Sequence, residues 1–92
     1  MSVYVVCYDI EDDGIRAQLS RLLGEYGERV QRSVFEITLR SEQDRVELQA
    51  RLTELLGEER EVRFYCLCER CRTASYSLAG EKVAVFPSAI IV

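Results

Sequence analysis

Histidine is absent from these 92 residues. That removes the side chain most often used as a general acid–base and the commonest imidazole metal ligand. Any hydrolytic chemistry therefore falls to carboxylates, with or without a bound cation. Lysine is nearly absent: 11 of the 12 basic residues are arginine, and Lys82 is the exception. Arginine offers a planar fork of donors suited to phosphate and carboxylate. A GC-rich gene produces the same bias, so composition alone leaves both explanations open. Proline occurs once, at Pro87, and no Pro-, Gly- or Ser-rich linker divides the chain. No apolar run approaches the roughly 20 residues of a membrane span. The opening MSVYVV has no basic region and meets an acid at residue 9, so no secretory signal is read and a cytoplasmic location is expected.

What is present describes one folded domain. Apolar residues make up 48% of the chain and charged residues 30%, which excludes the disordered class. A chain this short forms one modest core, and small sheet proteins often gain burial by association. The formal net charge of −4 argues against a surface that attracts nucleic acid everywhere.

Residues 3–8 are a near-continuous β-branched and aromatic run, the pattern of a strand buried on both faces. Asp12 or Asp13 is placed to cap a helix, and Ile15, Leu19, Leu22, Leu23 and Tyr26 share one helical face. The spacing predicts a helix over 13–25, with Gly24 and Gly27 marking its end. Residues 30–39 alternate with period two: Ser33, Phe35, Ile37 and Leu39 face one way, Val34, Glu36 and Thr38 the other. Arg32–Ser33 is the place where this run would bend into two strands. Ser41 and Asp44 form a capping-box pattern ahead of Leu48, Leu52, Leu55 and Leu56, predicting a second helix over 42–56 that stops at Gly57. Val62, Phe64, Cys66 and Cys68 alternate with Arg63, Tyr65 and Leu67 in a further strand. Residues 73–79 read as a weaker strand, and 82–86 and 89–92 as strand-like pieces broken by Pro87.

This order fits an α+β class, a ferredoxin-like β-α-β-β-α-β sandwich with two helices on one face of an antiparallel sheet and extra carboxy-terminal strands. Residues 1–80 form the domain, and 81–92 form a strand segment expected to dock on a partner subunit. The helices cover one sheet face only, while the first strand is apolar on both. A second copy of the chain is the simplest cover for the other face.

With these motifs in place, YVVCYDI followed by DDGIR and then YGERVQRSVFEITL resembles CRISPR-associated protein 2, and EVRFYCLCERC resembles that family's fourth strand and following turn. The resemblance implies a ferredoxin-like homodimer that works with the integrase CRISPR-associated protein 1 to capture foreign DNA as new spacers. It also implies metal-dependent endonuclease activity on RNA or DNA, which many members do not need for their adaptation role. A toxin-type RNA interferase and a regulatory dimer are the related alternatives. Residue by residue, the strand-end acid of the family is Asp9, preceded by Tyr8; the helix arginine is Arg16; the arginine before the next strand is Arg29; the aromatic is Phe35. Where some members carry a second helix arginine this chain has Gln18.

With no histidine, Mg²⁺ or Mn²⁺ on a carboxylate is the expected source of an activated water and of charge compensation. One Asp9 is too little for a tight site, so the cation is expected between the Asp9 side chains of two subunits. Taken alone, Asp9 reads as a helix-entry or turn acid, Tyr8 as a sheet aromatic, Phe35 as a core or dimer-interface aromatic, and Arg16 as a solvated helix residue. Glu11, Asp12 and Asp13 are explained by the start of a helix. Arg16, Arg63, Arg70, Arg72 and Lys82 are the candidate contacts to phosphates of duplex DNA or single-stranded RNA. Cys7, Cys66, Cys68 and Cys71 raise the idea of a four-thiolate zinc site. Their distribution favours buried free thiols at Cys7 and Cys66, and a turn at CERCR that displays Arg70 and Arg72. A structural disulfide is disfavoured in a reducing compartment.

Overall fold

The computed structural model describes residues 1–86. Four strands form one sheet in the order β2-β3-β1-β4, with β1 at Ser2–Tyr8, β2 at Gly27–Gln31, β3 at Val34–Leu39 and β4 at Val62–Leu67. Every neighbouring pair is antiparallel. Helix α1, Asp13–Gly24, connects β1 to β2, and α2, Glu42–Leu56, connects β3 to β4. Both connections skip a strand, which is the double split β-α-β of a ferredoxin-like fold. The fold class expected from the sequence is the fold observed.

The register explains the covered face. Val6 lies opposite Phe35 and Tyr4 opposite Ile37, so these side chains and Tyr8 share one face. They pack against Leu19, Leu22 and Leu23 of α1 and Leu48, Leu52 and Leu56 of α2. Asp12 caps α1 by accepting from Ile15 N–H at 2.9 Å, and Ser41 caps α2 by accepting from Asp44 N–H at 3.2 Å. Asp44 reaches back one residue further than a capping box predicts and accepts from Arg40 N–H. Gly57 ends α2 with φ 58°, a conformation that a β-carbon makes costly.

The long run at 30–39 does break at Arg32–Ser33, and β2 begins earlier than expected. Gly27 belongs to β2 rather than to the end of α1. A β-carbon there would lie 1.9 Å from the Glu36 carbonyl oxygen. Only glycine permits that approach, so Gly27 sets the closeness of β2 to β3. The register shift between Arg29 and Gln31 is a bulge at the same edge.

The chain departs from expectation after β4. CERCR does not form a turn: Glu69–Ala74 is a short helix, α3, stabilised where Thr73 Oγ1 donates to Glu69 O at 3.1 Å. The weaker strand at 73–79 reduces to one bridge, Tyr76 with Lys82, around a turn that needs Gly80 at φ 90°. No strand forms at 82–86, because Ala84 adopts φ 54°. That left-handed backbone costs about 1–2 kcal/mol for a residue with a β-carbon. Two bonds offset it: Ala84 N–H donates to Glu36 Oε1 at 2.9 Å, and Ala84 O accepts from Arg72 Nη1 at 3.2 Å. The segment thus crosses the helix-free face, where Ala84 and Val3 are both buried. The chain's own strap covers part of that face. The expected strand at 89–92 lies outside the described residues.

Candidate functional site at the carboxyl end of the first strand

Three connections meet at one end of the sheet: β1–α1, β2–β3 and α2–β4. Asp9 leaves β1 there. Its N–H donates to Glu61 O at 2.9 Å, while Tyr8 N–H donates to Ser33 O at 3.1 Å. These bonds clamp the strand end from both sides and fix the backbone of Asp9. Its side chain is exposed, and among the described residues its carboxylate has no hydrogen-bond partner.

Arg16 lies in the second turn of α1, half-buried, with Nη1 donating to Ile10 O at 3.0 Å and Nη2 to Asp13. It therefore braces the loop that carries Asp9 instead of projecting freely into solvent. Arg29 is exposed on β2, and both its Nε and Nη2 donate to Arg32 O, at 3.1 and 2.8 Å. Asp9, Arg16 and Arg29 thus belong to the same end of the sheet. Arg32, whose carbonyl orients Arg29, was read from the sequence as a bend and not as a site residue. Backbone carbonyls leave no signature in a sequence.

Tyr8 and Phe35 point the other way, into the core. Tyr8 is 6% exposed and Phe35 3%. Their ring centroids are 6.3 Å apart, and the Tyr8 hydroxyl lies 2.9 Å from Ser20 Oγ. These two aromatics set the strand end in place from beneath.

The candidate phosphate contacts divide. Arg63 is exposed on the helix-free face beside Cys7. The Tyr65 hydroxyl, and then the Glu61 charge, hold its guanidinium above its ordinary range. Arg70 is exposed on α3, and Lys82 is exposed beyond it. Arg72 is not displayed as expected: it donates to Ala84 O and lies 4.0 Å from the Phe86 ring centroid. Its charge serves the strap through a cation–π contact.

Among the described residues, no group of three or more histidine, cysteine or acidic side chains is placed to hold a metal ion. Within one chain, Asp9 is therefore not part of a ready-made cluster of three ligands. The four cysteines do not converge on one site either: Cys68 and Cys71 are neighbours, and no third cysteine joins them. Cys7 is half-buried, whereas Cys66, expected to be buried, is exposed, because β4 is an edge strand that α2 does not fully cover.

A profile for CRISPR associated protein Cas2 matches residues 1–74. The chain belongs to the Cas2 family. A CRISPR-associated endoribonuclease Cas2 of Synechocystis sp. is 50% identical over 68 residues, 73% of each chain. One from Archaeoglobus fulgidus is 35% identical over 83 residues, 88% of this chain and 87% of that one. Among solved structures, a chain of a partial Cas6-RT-Cas1–Cas2 complex superposes with TM-score 0.84 at 34% identity, covering 94% of this chain and 100% of the other. Cas2 of Streptococcus pyogenes at pH 6.5 gives TM-score 0.69 at 28% identity, over 83% of this chain and 98% of that one. No helix among the described residues of this Cas2-family chain is long and apolar enough to cross a membrane.

Proposed function

We propose that this chain acts in CRISPR adaptation, as a homodimer that joins a Cas1 integrase and holds duplex DNA during spacer acquisition. The observation that carries this is the likeness to the Cas2 chain of a complex containing Cas1, which extends over nearly the whole of both chains. Arg63, Arg70 and Lys82 then contact phosphates, which position a duplex without reading its sequence. The test is co-elution of the purified chain with the cognate Cas1 and a DNA duplex, with binding that falls steeply as salt rises. No association, together with undiminished spacer acquisition in cells lacking the gene, overturns it.

The relatives' designation as endoribonucleases supports a second activity, hydrolysis of phosphodiester bonds in RNA or DNA. Asp9 alone is too little for a tight site, so the pair of Asp9 side chains in the dimer is assigned to hold Mg²⁺ or Mn²⁺. The cation, when bound, supplies an activated water and offsets phosphoryl charge. The chain's own residues do the rest. The Glu61 and Ser33 carbonyls fix the backbone around Asp9, Arg16 braces its loop, and Arg29 is oriented towards a substrate phosphate. Tyr8 and Phe35 support the strand end through packing. Cleavage that survives excess EDTA excludes this assignment.

A further inference from the structure

We propose that Cys68 and Cys71 are a redox-active dithiol that closes reversibly to an intrachain disulfide by exchange with a small-molecule disulfide such as glutathione disulfide. Their Sγ atoms lie 3.4 Å apart. A disulfide needs about 2.05 Å, within reach of side-chain rotation on a helix as short as α3. Both residues are exposed, so a soluble disulfide has access to either sulfur. The three-residue spacing puts both thiols on one side of the chain where it enters α3.

The environment divides the labour between them. The backbone N–H and thiol of Cys71 hold the Cys68 thiol below its ordinary range, while Cys68 pushes the Cys71 thiol up. Cys68 is thus the thiolate that attacks and Cys71 the one that resolves. Cys68 S⁻ attacks one sulfur of glutathione disulfide, forming a mixed disulfide and releasing glutathione thiolate. Cys71 gives its proton to solvent and attacks the Cys68 sulfur, releasing a second glutathione. Two protein thiols are oxidised and one external disulfide is reduced, with two electrons transferred. The other two cysteines stand apart: Cys66 faces Tyr4 across the β1–β4 pair, and Cys7 is half-buried in β1. A structural disulfide is uncommon in a reducing cell, but a transient one of this kind is compatible with it.

The test uses the full chain, reduced and then equilibrated in glutathione buffers of increasing oxidised fraction. Iodoacetamide labelling counted by mass spectrometry is expected to fall from four thiols to two. Trypsin cutting after Arg70 separates Cys68 from Cys71, so the oxidised protein yields the two peptides joined. Cys66→Ser is expected to keep that link, and Cys71→Ser to accumulate one glutathione on Cys68. Four labels at every buffer ratio, or a link lost in Cys66→Ser, overturns the assignment.

Discussion

On the helix-covered face of the sheet, Val6, Leu19, Leu23 and Ile37 are completely enclosed by other apolar side chains. On the opposite face, Val3 and Ala84 are equally buried, but beneath a strap held by Glu36 Oε1 and the Arg72 guanidinium. The first arrangement depends on volume and is made by regular elements. The second depends on two hydrogen bonds and a cation–π contact, and it needs a left-handed alanine. The difference teaches that the fold rests on the covered face, while the open face is conditional and available for association.

The comparison breaks first if the covered face tolerates a void. Leu19→Ala is expected to cost about 2–5 kcal/mol, through lost burial and a residual cavity, measured by denaturant unfolding. Gly27→Ala comes next, at about 1–3 kcal/mol. Its β-carbon meets the backbone of Glu36 and Ile37, so β2 must part from β3, and the amides of β2 should lose protection from hydrogen exchange. Glu36→Ala probes the open face and is expected to cost about 1 kcal/mol or less. It removes the acceptor of Ala84 N–H, but it also relieves the Glu28 carboxylate directly opposite. Faster exchange at the Ala84 amide, with the covered face unchanged, is the expected signature. The smallest effect is the surface pair of Arg51 with Glu25, at 2.9 Å. The Arg51 guanidinium holds the Glu25 carboxyl below its ordinary range. A carboxyl depressed in the folded state stabilises above its unfolded pKa and loses that contribution as pH falls through the folded value. Arg51→Ala should therefore lower the melting temperature slightly at neutral pH, and the difference from the parent should vanish in acid.

The covered face was the legible part. A continuous β-branched and aromatic run located β1, helical patterns located α1 and α2, and a period-two pattern located β4, because each buries apolar side chains against the same core. The β2–β3 turn was harder, since Arg32–Ser33 carries no glycine, asparagine or proline. The open face was not legible. Ala84 is fixed by Glu36, 48 residues away, and nothing local in KVAVF announces a left-handed turn. Likewise α3 is six residues long and rich in cysteine, arginine and threonine, too short for a helical period to show. At the candidate site, Asp9 was found through its motif, and so were Arg16 and Arg29. Their bonds to the carbonyls of Ile10 and Arg32 depend on how the backbone returns to one end of the sheet. Tyr8 was ambiguous in the sequence because a strand-end tyrosine faces either way. Its hydroxyl beside Ser20 places it in the core.

The central functional claim is that Asp9, fixed in its backbone and free in its carboxylate, is the acid on which phosphodiester hydrolysis depends. Asp9→Asn keeps the shape and both clamping bonds of the backbone, so its stability should stay within about 0.5 kcal/mol of the parent. The decisive measurement is Mg²⁺-dependent cleavage of labelled RNA and DNA by the parent and Asp9→Asn, each shown to have the same oligomeric state and melting temperature. Cleavage that requires the cation in the parent and falls at least about a hundredfold, close to 3 kcal/mol in transition-state terms, in Asp9→Asn is the predicted result. Equal cleavage by the two proteins contradicts it.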